Sequence, residues 1–310
     1  MISNMSQGRK QKIHRILFGM NFVDGLFYKL IIYILLISFS YIYLYPLLYM
    51  LTNSLMGSSD IINDGVKWIP TKLYLTNYKQ AWKVLDIKKS FMSTTFYVLK
   101  VSVLITFTSA ITGYGFARFN FPFKKTLFIL MLATFILPSQ ITMTSTMVIM
   151  RKLGIISTQK AMIYPAFLGQ GISSAIYILI FYQFFKTIPQ VLGESAEIDG
   201  ASEFRIFRTI ALPLAIPSIV VVFLFSFVWY WNETYLTGLM AGSNLTLPLK
   251  ILTFKSSYEA LFPPGTPGAA LNEAVVLAAN MLVIFPLLII YFVGQKQFTE
   301  SIDRTGITGE

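Results

Sequence analysis

The chain has 310 residues and a formal net charge of +11, and its composition is 55% hydrophobic and 13% charged. Soluble domains carry about 25% charged residues, so this composition excludes an ordinary soluble protein and indicates a membrane protein. The sequence has no cysteine and one histidine, His14, so a disulfide framework, a thiolate metal site and a cysteine nucleophile are excluded. We expect no metal site and no catalytic residue. The positive charge does not indicate nucleic-acid binding, because Lys and Arg collect near the ends of membrane spans.

Six apolar runs follow one another along the chain. Each is long enough to cross about 30 Å of hydrocarbon as a helix of roughly twenty residues. They predict spans at about 30–51, 96–116, 127–150, 161–185, 214–231 and 275–293. We therefore predict an all-α membrane protein with one six-span domain at 30–294, an N-terminal segment at 1–29 and a C-terminal tail at 295–310.

The distribution of positive residues predicts the orientation of these spans. With the N-terminus inside, the inner segments carry slightly more Lys and Arg than the longer outer segments. The tight turn from Arg118 to Lys125, which holds three of these residues, gives the best local support. This bias places both termini in the cytoplasm.

A charged segment at 186–211 separates the fourth and fifth apolar runs. Its ionisable side chains between the two runs include Glu194, Glu197, Asp199, Glu203, Arg205 and Arg208. Apolar residues recur in the same stretch at Leu192, Ala196, Phe204 and Phe207, a pattern that predicts a short amphipathic helix outside the bilayer. Such a helix is either a solvated connector or a surface for another protein, and amphipathicity leaves both open.

Gly200 lies in the middle of this segment. Because Gly in a helix interior destabilises by about 1 kcal/mol relative to Ala, its position predicts a sharp bend between two short helices. The neighbouring residues Ser195, Ala196 and Ala201 are small, so another surface can approach the helix closely.

The order of residues in this segment resembles the EAA signature of ABC importer permeases: Glu194-X-Ala196, Ile198-Asp-Gly-Ala201 and then Leu212-Pro213. Further matches to the carbohydrate-type, binding-protein-dependent permeases (the maltose G-subunit type) are Trp68-Ile-Pro70, Leu75-Thr-Asn77-Tyr78, Gly113-Tyr-Gly-Phe-Ala-Arg118, Phe121-Pro122, Leu137-Pro138, Leu153-Gly154-Ile155, Trp231-Asn232-Glu233 and Thr246-Leu247-Pro248. The matches cover about residues 30–295. Ser195 departs from the usual Ala of the signature, and 300–310 matches the family's Gly-rich end only loosely.

The resemblance implies a type I ABC importer permease fold with a cytoplasmic coupling helix between the fourth and fifth spans. The residues that it assigns to ATPase coupling are Glu194, Ser195, Ala196, Asp199, Gly200 and Ala201. The implied partners are a second, homologous permease subunit, two ATPase subunits and an extracytoplasmic solute-binding protein. The implied substrate is a sugar or oligosaccharide, and the implied location is a bacterial inner membrane. The chain has no Walker-type loop, so ATP and Mg²⁺ are expected on the ATPase partner and no cofactor on this chain.

Polar side chains within the predicted spans are candidates for the substrate path, because uncharged hydroxyl and amide groups suit sugar hydroxyls. The candidates are Gln140, Thr142, Gln170 and Asn280. Hydrogen bonding between helices explains such residues equally well.

Three other functions compete with sugar import. An intramembrane enzyme needs a base, nucleophile or metal set, and the carboxylates nearest the spans, Glu233 and Glu273, are too far apart in sequence to indicate a site. A secondary transporter usually has ion sites at the midplane of the membrane, and none stands out. An ABC permease for a polyol or glycerol phosphate is the nearest alternative, although a phosphate favours Arg in the path and the spans contain none.

Overall fold

The computed structural model describes residues 17, 25–63, 65–66, 68–242 and 246–304, with side chains described as far as Lys296. Predictions on His14 and on residues 305–310 lie outside the described residues. All regular elements in the described ranges are helices, so the all-α class is confirmed. They are α1 Leu26–Ser54, α2 Ser58–Ile62, α3 Thr76–Leu85, α4 Ile87–Arg118, α5 Lys124–Ile136, α6 Ser139–Lys152, α7 Lys160–Phe167, α8 Ser174–Thr187, α9 Gln190–Ile198, α10 Glu203–Ile206, a π-helical turn π1 Phe207–Ala211, α11 Leu212–Leu214, α12 Ile216–Asn232, α13 Tyr235–Met240, α14 Leu247–Leu252, α15 Phe254–Leu261 and α16 Glu273–Arg304.

The described residues form two compact units, 1–77 and 78–310. In the first, α1 has 29 residues and is therefore about 44 Å long, enough to cross a bilayer. The Asn77 side chain donates hydrogen bonds to the carbonyls of Ser54 at 2.9 Å and Met56 at 2.8 Å. This buried amide fixes the chain that follows α1, which gives the Leu75-Thr-Asn77-Tyr78 match a structural role.

The second unit is built around α4. This helix has 32 residues, and α8, α12 and α7 pack against it. Its buried face includes Tyr97, Val101 and Ile105. At Gly113 an added Cβ would lie 2.6 Å from the Cβ of Phe181 and 2.9 Å from the backbone nitrogen of Tyr182. Gly113 is therefore required by the close approach of α4 to α8.

Three of the predicted spans are continuous helices. α1, α4 and the Glu273–Lys296 part of α16 are long and apolar enough to cross a membrane. Proline does not break α1 or α16, although Pro46 lies inside α1 and Pro286 lies inside α16.

The other three predicted spans are broken or bent. The third divides at Leu137 and Pro138 into α5 and α6, whose axes differ by 101°. Leu137 has extended backbone with ψ 120°, as expected of a residue before proline. The fourth divides into α7 and α8, because Gly169 and Ser173 in the connection have positive φ. The fifth begins with a 75° bend between Glu203–Leu214 and Ile216–Asn232.

By length and composition, the three continuous helices allow up to six spans if three bent pairs of helices each count as one. The third of these pairs joins α8 and α9, which meet at 72°. The number of spans and the domain boundary at 30–294 stay predictions. The connection between α7 and α8 is held by Tyr230 of α12, whose hydroxyl accepts a hydrogen bond from the Ile172 N–H at 2.8 Å.

Candidate functional site

The predicted amphipathic segment folds as two short helices joined by a turn. We call residues 189–206 the Gly200 loop; it contains α9 and α10. Gly200 has φ +80°, and the Gly200 and Ala201 N–H groups donate to the carbonyls of Glu197 and Ala196, both at 2.9 Å. This pair of bonds is the Schellman motif, in which Gly takes the left-handed position after a helix. The predicted bend at Gly200 is confirmed.

The side chains predicted for ATPase coupling differ in exposure. Glu194, Ser195, Asp199 and Gly200 are exposed, whereas Ala196 and Ala201 are half-buried. Four large apolar side chains in the same loop are also exposed, and the most exposed are Ile198 at 87% and Phe204 at 69%. Carboxylates therefore lie beside uncovered apolar side chains on this loop.

A cavity of about 280 Å³ lies behind the Gly200 loop. Its walls come from α4, α9, α10 and π1, and its charged lining consists of Glu194, Glu197, Glu203 and Arg118. Three carboxylates and one guanidinium make the lining acidic. Of the coupling residues predicted from the signature, only Glu194 lines this cavity.

Arg118 and Tyr114 connect the loop to α4. The Arg118 Nη2 atom donates a hydrogen bond to the Ile188 carbonyl at 2.8 Å. The Tyr114 ring lies 5.3 Å from the Phe185 ring and 4.8 Å from the Phe207 ring. Sequence reasoning assigned these two residues no role, although both lie in the Gly113-Tyr-Gly-Phe-Ala-Arg118 match, which was the available signal.

The four substrate-path candidates do not converge on a described cavity. Gln140 and Thr142 are exposed on α6, Gln170 is exposed between α7 and α8, and Asn280 is half-buried on α16. The Thr142 hydroxyl donates to the Ser139 carbonyl of its own helix at 3.2 Å. None of the four lines the 280 Å³ cavity or a second cavity of about 330 Å³ near Lys89 and Lys250. Their role stays a prediction.

Glu233, considered as a possible acidic site, has a local structural role. Its carboxylate accepts hydrogen bonds from the N–H groups of Leu236 at 2.8 Å and Thr237 at 2.6 Å. These are orphan donors of the first turn of α13, which the carboxylate satisfies. Among the described residues, no three His, Cys, Asp or Glu side chains are grouped to hold a metal ion.

Comparison with known families decides the class of the chain. Residues 105–304 match the family described as binding-protein-dependent transport system inner membrane component. The chain belongs to this family. It is therefore a subunit of a membrane transport system, and the predicted resemblance to ABC importer permeases is confirmed.

Two relatives match this permease over most of their length. The diacetylchitobiose uptake system permease protein NgcG of Streptomyces coelicolor is 26% identical over 276 residues, covering 87% of this chain and 86% of NgcG. The polygalacturonan/rhamnogalacturonan transport system permease protein YtcP of Bacillus subtilis is 26% identical over 281 residues, covering 88% of this chain and 96% of YtcP.

A solved structure shows the same fold. A chain of a bacterial ABC transporter involved in the import of the acidic polysaccharide alginate superposes with a TM-score of 0.70, at 20% identity, covering 87% of this permease and 96% of that chain. The predicted importer-permease fold is confirmed. The membrane side of the Gly200 loop and of the two termini stays a prediction.

Proposed function

We propose that this permease forms half of the translocation path of an ATP-driven importer of sugars or oligosaccharides. The names of the two relatives, which refer to diacetylchitobiose and to polygalacturonan/rhamnogalacturonan, support a carbohydrate substrate. Uncharged polar groups at Gln140, Thr142, Gln170 and Asn280 are the proposed contacts along the path, because they offer donors and acceptors to sugar hydroxyls.

The Gly200 loop is the proposed docking element for an ATPase subunit. The observation that carries this proposal is the helix–turn–helix at Gly200, which leaves Ile198, Phe204, Glu194 and Asp199 uncovered at one end of α4. Exposed apolar groups at the centre of a contact with charged groups around them match the anatomy of protein interfaces. The loop and both termini then lie in the cytoplasm.

The working complex has five subunits in this proposal. This permease pairs with a second, homologous permease, two ATPase subunits bind inside, and a solute-binding protein delivers substrate from outside. ATP and Mg²⁺ bind to the ATPase subunits. Closure of the ATPase pair moves the two loops, and the spans rock as rigid bodies between inward and outward openings.

Co-purification tests this proposal. The tagged permease is extracted from native membranes in mild detergent, and the proteins that accompany it are identified by mass spectrometry. We expect a second multi-span permease and an ATPase. Recovery of the permease alone, in a form that transports without ATP, would contradict the proposal.

Substrate class is tested on the solute-binding protein of the same complex. Binding is measured by calorimetry against oligosaccharides, polyols and glycerol phosphate. We expect binding of a sugar or oligosaccharide. Selective binding of a polyol or glycerol phosphate would establish the non-sugar alternative.

A further inference from the structure

The residues that flank the Gly200 loop on either side both contact α4, at positions within about one helical turn of each other. At its start, the Ile188 carbonyl accepts the 2.8 Å hydrogen bond from Arg118, the last residue of α4. Ile188 is buried. A hydrogen bond from a charged donor to a backbone acceptor in such surroundings is among the stronger ones in proteins.

At its end, the loop is held by aromatic packing. Phe207 follows α10 directly and is buried, and its ring contacts the Tyr114 ring at 4.8 Å. The same Tyr114 ring contacts Phe185, which precedes the loop, at 5.3 Å, and Phe185 and Phe207 are 6.3 Å apart. Residues before and after the loop therefore pack on one side chain of α4. Tyr114 and Arg118 are four residues apart, so they lie on the same face of that helix.

Between these two attachments the loop is separated from α4 by the 280 Å³ cavity. Tyr114 of α4 and Glu203 of α10 both line this space. Glu194 and Glu197 of α9 line it as well. The loop is thus a short segment fixed to α4 at its two ends, with a cavity beneath its middle.

We propose that Arg118 and Tyr114 are positioning residues, which fix both ends of the Gly200 loop to α4 so that displacement of the loop displaces α4. This inference rests on the proposed function, because it takes the loop as the element that the ATPase moves. α4 is the helix on which α7, α8 and α12 pack. A movement delivered to it reaches most of the second unit.

Hydrogen exchange tests the attachment without reference to transport. Backbone exchange of α9 is followed by mass spectrometry in the intact complex in lipid nanodiscs, for the native permease and for Arg118→Gln. Losing a charge-assisted hydrogen bond at the base of the loop is expected to raise the exchange rate of residues 190–198 roughly tenfold. Arg118→Lys, which keeps a cationic donor, is expected to restore much of the protection.

Lys124, at the start of α5, provides a matched control. Lys124 Nζ donates a hydrogen bond to the Phe119 carbonyl at 2.7 Å, the same kind of contact outside the Gly200 loop. Lys124→Gln is expected to leave the exchange of 190–198 unchanged. Equal exchange of α9 in the native permease and Arg118→Gln would overturn the proposal.

The functional consequence is measured on the same samples. We expect Arg118→Gln to retain the ATPase subunits while the stimulation of ATP hydrolysis by loaded binding protein falls roughly tenfold, with Arg118→Lys intermediate. Full stimulation in Arg118→Gln despite faster exchange would overturn the positioning role. Absence of an ATPase from the native complex would instead contradict the proposed function, so the two failures are distinguishable.

A second variant covers the case in which Arg118→Gln does not accumulate. Tyr114→Leu removes the ring that packs on Phe185 and Phe207 and keeps an apolar side chain at the position. It is expected to accelerate exchange in α10 and to reduce stimulation, whereas Tyr114→Phe, which keeps the ring, is expected to change both much less. Unchanged exchange and stimulation in Tyr114→Leu would overturn the part of the proposal that concerns this residue.

Discussion

Two turns in this permease share one backbone motif and differ in their surroundings. Gly200 after α9 and Gly154 after α6 both have positive φ, +80° and +68°. At each turn the glycine and the next residue donate their N–H groups to carbonyls of the preceding helix, at 2.9 to 3.0 Å. Both are therefore Schellman motifs.

The chain beyond Gly154 returns to the core. The Ser157 N–H donates to the Met240 carbonyl at 2.7 Å, and Met150 in the last turn of α6 is buried. The chain around Gly200 leaves Ile198 and Phe204 uncovered. Leu153 beside Gly154 is exposed as well, so apolar exposure alone does not separate the two turns. The difference lies in the return of the chain to the core after Gly154 and in the charge, which is acidic around Gly200 (Glu194, Asp199) and basic before Gly154 (Arg151, Lys152).

The largest expected effect comes from placing a charged side chain at Gly200. A Cβ at either glycine would meet no atom within 4 Å, so aspartate carries similar backbone strain at both turns, about 1 kcal/mol. We expect Gly200→Asp to abolish substrate uptake and Gly154→Asp to leave it nearly normal, with both variants present in the membrane at native amounts by immunoblot. Normal uptake by Gly200→Asp would remove the distinction between the turns.

Reversal of charge at Glu194 should have the next largest effect. Glu194 is exposed on α9 and borders the acidic cavity, so lysine replaces attraction to a basic partner group by repulsion. We expect Glu194→Lys to reduce ATPase co-purification roughly tenfold or more, and Glu194→Gln to reduce it less. If the native permease and Glu194→Lys recover equal amounts of the ATPase, at low salt and at high salt, the charge of Glu194 is not at the contact.

Removal of exposed apolar surface sharpens the comparison further. Burying an isoleucine at an interface contributes about 1.5 to 3 kcal/mol, so Ile198→Ser is expected to weaken ATPase binding roughly tenfold, measured by titration of the purified ATPase. Leu153, next to Gly154, is 63% exposed and provides the control. If Leu153→Ser weakens binding as much as Ile198→Ser, the Gly200 loop has no special status.

The smallest expected effect is on stability, and it should be equal for alanine at Gly200 and at Gly154. Gly200→Ala and Gly154→Ala place a Cβ in left-handed backbone and are each expected to destabilise by about 1 kcal/mol. Thermal unfolding of the purified complex in nanodiscs measures this shift. A clearly larger loss at one turn would mean that the two motifs are not equivalent in backbone energy.

Much of the fold is readable from the sequence because it depends on local chemistry. The bend at Gly200 follows from the poor helix propensity of glycine, and α1, α4 and α16 follow from long apolar runs. The break at Pro138 was missed because proline does not always end a helix. Pro46, Pro165 and Pro286 all lie inside helices here.

The attachment of the Gly200 loop could not be predicted in the same way. Tyr114, Phe185 and Phe207 are far apart in sequence and meet only when α4 and α8 pack. The bond from Arg118 to the Ile188 carbonyl involves a backbone acceptor that no side-chain pattern reveals. Polarity alone marks the substrate-path candidates, and polarity does not indicate which helix face lines a path.

Photo-crosslinking from the loop tests the docking claim most directly. A benzophenone amino acid is placed at Ile198, or as a control at Leu252. Leu252 is 70% exposed on α14. It lies near the opposite end of α4, where the neighbouring Lys250 donates a hydrogen bond to the Leu85 carbonyl. After irradiation of the complex in native membranes, adducts are identified by mass spectrometry. We predict an adduct with the ATPase from Ile198 and none from Leu252. No ATPase adduct from Ile198, or equal adducts from both positions, would contradict the account.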